Sequence, residues 1–166
     1  APVPVLAAGG IGSGRQMAAA HVLGAEGGWC GTIWLGTSES ELNPEMRRRY
    51  IAARSQDAIQ QKYTTGKPLR TLRSKWTDAW SAPGAPQPLP LASQKLLVAP
   101  ALKRIELANA VDYMSYMAGQ IVGRIKKEQT TRELMQAMRR EFERALDDLH
   151  RHRDETVAVG ERDEGR

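Results

Sequence analysis

Residues 1–36 read APVPVLAAGGIGSGRQMAAAHVLGAEGGWCGTIWLG, and this stretch decides the fold. The run from Val3 to Ala8 is short and almost wholly apolar and stops at Gly9-Gly10, the pattern of a strand buried on both faces of a parallel sheet. Ser13 then offers an N-cap oxygen to a helix over about 14–23, with Met17, Ala20 and His21 on one side and Gly24 as its stop. A second apolar run from Gly28 to Leu35 supplies the next strand. Strand, helix and strand in so few residues predict a βαβ unit with a right-handed crossover, hence an α/β protein.

Further along, Asn43-Pro44-Glu45 is a helix start, with a capping amide, proline at the first helical position and an acid at the positive end; the helix should reach about Arg54. The segment 55–63 has no clear period. Thr65-Gly66-Lys67-Pro68 is a turn, and Leu69, Leu72, Trp76 and Trp80 then fall on one stripe of an expected helix. Prolines at 83, 86, 88 and 90 make 81–90 a connector. From 101 to 127, Met114, Met117, Ile121 and Ile125 keep helical register, interrupted by Gly119 and Gly123. Thr130 and Glu133 form a capping box for a last helix, with Leu134, Met135, Met138, Phe142, Ala145, Leu146 and Leu149 on its buried side. The expected division is a βαβ unit at 1–36, helices and a Pro-rich connector at 37–100, C-terminal helices at 101–155 and a disordered polar tail at 156–166.

Composition narrows the function classes. Hydrophobic residues make up 41% of the 166, and no uncharged apolar run nears the roughly 18 residues of a membrane span, so no membrane partner is expected. The net charge of +5 is spread over several segments, with Arg47, Arg48 and Arg49 in one helix, Lys67, Arg70, Arg73 and Lys75 after a turn, and the rest interleaved with acids. Without zinc-finger spacing or an aromatic-basic motif, these read as solvated faces, and no nucleic-acid partner is expected. One cysteine and no visible leader make the cytoplasm the expected compartment.

The chemistry lies in the glycine loops. Gly9-Gly10 follows a strand and precedes the helix start at Ser13-Gly14, where bare backbone and free amides suit a phosphate; Gly31-Thr32 lies at or just beyond the end of the next strand, with an amide and a hydroxyl for the same anion. In (β/α)8 barrels the loops after the last two strands often hold a phosphate, and these two loops come in that order. The whole pattern, from Val3-Pro4-Val5-Leu6-Ala7-Ala8-Gly9-Gly10-Ile11 through Gly14, Leu23-Gly24-Ala25-Glu26-Gly27 and Gly31-Thr32, closely resembles the end of the barrel in nitronate monooxygenases, formerly 2-nitropropane dioxygenases. A weaker likeness continues through Gly66-Lys67-Pro68-Leu69-Arg70 and Ala118-Gly119-Gln120-Ile121-Val122-Gly123.

That resemblance implies the C-terminal part of a (β/α)8 TIM barrel, its final βαβ unit, followed by a largely α-helical region. It implies an FMN-dependent oxidoreductase that oxidises nitronates with O2. The residues implied at the FMN phosphate are Gly9, Gly10, Trp29, Cys30, Gly31 and Thr32, of which Trp29 and Cys30 stand where many members carry Gln and Met or Leu. The family's catalytic histidine lies on an earlier strand in a Gly-Gly-His context, absent here; the chain is therefore expected to be a piece lacking the catalytic base, with the N-terminal half of the barrel as its partner. The residues themselves give plainer expectations. His21 is a helix-face residue, and His150 and His152 suit a helix C-terminus. Cys30 is a small strand residue rather than a nucleophile, Lys67 and Arg70 are surface charge, Met114 and Met117 are core, and no metal ligand cluster exists. Two other functions fit the sequence: an FMN-dependent enoyl-thioester reductase with similar phosphate loops, and a non-catalytic helical interaction module over 101–154.

Overall fold

The computed structural model describes residues 3–163, with side chains through Arg153, as a mixture of helix and strand. It divides into two compact units, one joining the N-terminal segment through Cys30 to the C-terminal segment from Thr130, the other comprising Gly31–Gln129. The first unit is thus discontinuous in sequence, which the sequential division expected above does not contain.

In the first unit β1 (Leu6–Ala8), α1 (Gly14–Val22) and β2 (Gly27–Trp29) form the expected strand–helix–strand motif. The two strands pair in parallel, Leu6 opposite Gly27 and Ala8 opposite Trp29. Ser13 caps α1 by accepting from the Gln16 amide at 3.2 Å, and Gly24, at φ +100°, ends it in the left-handed conformation that favours glycine. Closely packed helix and strand follow from small residues: a Cβ on Gly28 would sit 3.0 Å from the Met17 Cε.

α1 packs on α5 (Thr131–Asp163), burying Ala18 of one helix and Leu134 and Met138 of the other. The expected capping box opens α5: Glu133 donates its amide to the Thr130 Oγ1 at 3.1 Å, and Thr130 donates its own to the Glu133 Oε2 at 2.7 Å. Met135 and Leu149 were expected on the buried side but are 54% and 49% exposed. The helix also continues through 156–163, where a disordered tail was expected; no proline stops it, and Gly160 costs only about 1 kcal/mol against alanine. Residues 164–166 lie outside the described residues. The extension leaves His150 and His152 within the helix rather than at its end. Thr130→Ala removes the hydroxyl half of the box and should lower stability by about 1 kcal/mol, read as a shifted urea midpoint with unchanged slope.

In the second unit, α2 (Pro44–Ala52) starts where expected, its Asn43 Oδ1 accepting from the Glu45 amide at 2.9 Å. The segment without a clear period becomes β3 (Ala58–Gln61), which pairs antiparallel with β4 (Leu69–Leu72) across the Gly66 turn. β4 corrects the expected helix at Leu69 and Leu72. The three-residue spacing of these leucines is helical, but β3 satisfies the backbone of 69–72, and the helix begins only after Ser74 caps it, as α3 (Lys75–Trp80).

The region expected to be helical from 101 to 127 also differs. α4 (Leu91–Leu107) begins directly after the connector and continues through Pro100; beyond Asn109, at φ +47°, the chain forms short 3-10 turns. There the segment near Met117 joins β4: Leu72 donates to the Tyr116 carbonyl at 3.2 Å and Ala118 to that of Arg70 at 3.1 Å. Met46, Tyr50, Leu72, Met114, Val122 and Ile125 make the core of this unit.

Candidate functional site

The glycine loops are placed as the sequence suggests, each in its own unit. Gly9 and Gly10 leave β1 at φ +95° and +71°, conformations that side-chain-bearing residues rarely adopt, and an added Cβ on either would meet no atom within 4 Å. Open backbone therefore faces free space at this turn.

The start of α1, by contrast, is partly satisfied. Gly14 donates to the Glu141 carboxylate at 2.9 Å, Gly12 donates to the Gln16 Oε1 at 3.0 Å, and the Gln16 Nε2 donates to the Gly10 carbonyl at 2.9 Å. The Gly12 and Gly14 amides, expected to attract phosphate, are thus spent on side chains of the same unit. Sequence reasoning missed Gln16 and Glu141. Gln16, three residues after the Ser13 cap, carries a legible capping pattern; Glu141 is distant in sequence and carries none.

Trp29 is 68% exposed, and Cys30 is half-buried with its thiol pushed up by burial, which agrees with an inert cysteine rather than a thiolate nucleophile. Exposure of Val3, Val5 and Leu6 at 50–66% corrects the strand buried on both faces: within this chain β1 has β2 alone as a partner among the described residues. His21 lies on α1, its ring tilted against Phe142 at 5.9 Å and its Nδ1 3.1 Å from the Ala25 carbonyl.

In the second unit the strand expected to reach Leu35 gives way to a 3-10 turn over Thr32–Gly36, set by i→i+3 bonds from Trp34 to the Gly31 carbonyl and from Thr37 to that of Trp34. Gly31 has an ordinary φ of −115°, and an added Cβ there would meet nothing within 4 Å. The Thr32 Oγ1 accepts from the Gly119 amide at 2.9 Å, which leaves its own hydrogen to donate. Gly31, Thr32, Arg70, Met117 and Gly119 line one cavity of about 390 Å³. Arg70 is half-buried there and donates to the Ala58 carbonyl at 2.6 Å, whereas Lys67 is exposed; the surface reading holds for the lysine only. Met117, expected in the core with Met114, is 74% exposed while Met114 is 5% exposed. The main-chain pairing of 116–118 with β4 accounts for this, because it replaces the helix that would have put both methionines on one face.

Hydroxyl, guanidinium and side-chain-free backbone form a donor set suited to a phosphate. Among the described residues no group of His, Cys, Asp and Glu is placed to hold a metal ion, and no helix is long and apolar enough to cross a membrane.

A parallel strand–helix–strand motif with open glycine turns puts the chain in the α/β class. Residues 1–141 match the family model of nitronate monooxygenase, and the chain belongs to that family. It is 44% identical over 147 residues to a Mycobacterium tuberculosis protein named provisionally as a monooxygenase, covering 85% of this chain and 39% of that one. Its fold is similar to a solved nitroalkane oxidase from Streptomyces ansochromogenes, with TM-score 0.73 and 28% identity, over 90% of this chain and 42% of that one. FabK from Thermotoga maritima has TM-score 0.71 and 26% identity over 90% of this chain and 47% of its own. The chain thus spans about two fifths to half of the length of these proteins.

Proposed function

We propose that this chain is the FMN-phosphate-binding, C-terminal part of a (β/α)8 nitronate monooxygenase that oxidises nitronates with O2. The observation that carries this reading is the open backbone of Gly31 beside the Thr32 hydroxyl and Arg70 in one cavity. The family resemblance also implies Gly9, Gly10, Trp29 and Cys30 at the phosphate; within their own unit Gly9 and Gly10 offer bare backbone, and Trp29 and Cys30 offer main chain only, since the exposed indole and the protonated thiol offer a phosphate little. Bound FMN would supply the one-electron chemistry with oxygen. The task of this chain is to hold and orient the cofactor. No histidine in it is offered as the catalytic base, which this reading assigns to the N-terminal half of the barrel; the exposed Val3, Val5 and Leu6 of β1 are the surface that such a half would cover. The family match favours this reading over an enoyl-thioester reductase, and the cytoplasm is its expected compartment.

The test is an FMN fluorescence titration of a chimera in which this chain replaces the corresponding part of the Mycobacterium tuberculosis relative. Gly31→Val puts a branched side chain into open space without straining the backbone, so the fold should survive while the ligand is blocked. Losing one charge-assisted hydrogen bond costs about 1.5–3 kcal/mol, so Gly31→Val should weaken binding by roughly one to two decades. Cys30→Ala should leave affinity within about twofold, because the main-chain path is unchanged. Equal affinities in two folded variants would reject the assignment.

A further inference from the structure

A second and larger cavity, of about 480 Å³, lies in the same unit beside the one that holds Gly31 and Thr32. Its walls are mainly hydrocarbon: Leu69 of β4, Ala99, Leu102 and Ile105 of α4, and Met114 and Met117 from the segment paired with β4. Leu69 and Met117 line both cavities. Part of its polar lining is bonded within the chain. The Ser115 hydroxyl donates to the Leu72 carbonyl at 2.5 Å, the Thr65 hydroxyl donates to the Lys67 carbonyl at 3.0 Å, the Thr64 and Thr71 hydroxyls accept from the Gln61 Nε2 at 3.0 and 3.4 Å, and Lys103 pairs with Glu106 at 2.9 Å. Lys103 and Glu106 are 62% and 58% exposed, which places this pair at the solvent mouth, where it presents no net charge.

We infer that this second cavity receives the hydrocarbon arm of the substrate, selecting nitronates with an unbranched chain of roughly six or more carbons; ligand cavities of this size, about 300–1,000 Å³, suit ligands well beyond two or three carbons. The assignment rests on the nitronate reading for the head group only, because the apolar walls and the neutral mouth define the arm by themselves. A second anionic group on the arm would find no unpaired cation among the lining residues, since Lys103 is matched by Glu106. The arm runs along α4 past Ala99 and Leu102.

The test uses the chain itself with methyl-labelled methionine and sodium alkanoates from butanoate to decanoate, whose carboxylate stands in for the planar nitronate anion. The six methionines provide internal controls, since Met114 and Met117 line the cavity, Met46 lies in the core of the unit, and Met17, Met135 and Met138 belong to the other unit. The Met114 and Met117 methyl signals should move alone, and affinity should rise by up to about fourfold for each added methylene, the factor for burying one CH2. Leu102→Trp or Ala99→Phe, each of which fills the cavity, should weaken decanoate at least tenfold; the second changes an exposed residue of α4 and keeps the test available if the first does not fold. Affinity independent of chain length, equal shifts in all six signals, or wild-type binding by both folded variants would overturn the assignment. Failure of the FMN titration with success here would reject the flavoenzyme reading and leave the hydrocarbon site standing.

Discussion

Replacing Gly14 with alanine is expected to destabilise the chain by about 3 kcal/mol or more, although alanine is the better helix former. A Cβ at this position would collide with the main-chain oxygen of Met138 and the amide of Phe142, and would lie 2.8 Å from the Glu141 Cβ. All three are in α5, and two belong to helical backbone, which cannot swing aside as a long side chain does. The propensity gain from Gly to Ala is at most about 1 kcal/mol and smaller at a first helical position, whereas overpacking against fixed atoms costs about 1–3 kcal/mol and more when a whole helix must move. Steric cost wins. The displacement would also break the 2.9 Å bond from the Gly14 amide to the Glu141 carboxylate. Urea unfolding followed by circular dichroism gives the measurement, with Glu141→Gln separating the charge from the contact. An alanine variant as stable as the parent would mean that α1 does not approach α5 this closely.

The same pair of helices shows what the sequence can and cannot reveal. Ser13, Gly24, Asn43 and the Thr130–Glu133 pair act on backbone groups a few residues away, so the starts of α1, α2 and α5 and the end of α1 were legible. Met135 and Leu149 fit the apolar period of α5 but are about half exposed, so the apolar stripe is wider than the face buried at Leu134 and Met138. β4 and the 111–125 segment were misread for a related reason. Leu69 with Leu72, and Met114 with Met117, have helical spacings, yet their backbones pair with β3 and with β4, and such pairing with another segment overrides the local period.

At the candidate site, the legible part was again the local part. Gly9 and Gly10 adopt the positive φ that their side-chain-free backbone permits, and Gly31 presents open main chain. What could not be read was the consumption of the Gly14 amide by Glu141, 127 residues away, or the hydrogen bond that ties Thr32 to Gly119, 87 residues away. The bond from Gly119 matters to the proposed site, because it fixes which lone pair of Thr32 is used and leaves the hydroxyl hydrogen to face an anion. Arg70 belongs to the same class: a surface charge by sequence, it lies half-buried in the cavity because the 65–72 segment forms a hairpin instead of a helix.

Tyr50→Ala should have the largest effect in the second unit, about 3–5 kcal/mol, because Tyr50 is fully buried in its core and truncating a large aromatic leaves a cavity that packing does not refill. Tyr50→Phe isolates the hydroxyl. Its donor bond to the Tyr116 carbonyl, at 2.9 Å, is lost, but that carbonyl still accepts from the Leu72 amide at 3.2 Å, so no buried acceptor is orphaned and the cost should be only about 1 kcal/mol. The pH dependence gives an independent check. Burial raises the Tyr50 phenol well above its ordinary range, so the folded chain keeps the proton in a pH range where the unfolded chain, at about 10, has released it. The unfolded state then binds fewer protons, and stability must fall as pH rises above about 10, by up to about 1.4 kcal/mol per pH unit. Below that pH the group is neutral in both states and contributes no slope. Urea titrations at pH 8 and pH 11 should therefore show a larger loss in the parent than in Tyr50→Phe; an identical loss in the two would place the Tyr50 hydroxyl in contact with solvent rather than in the core.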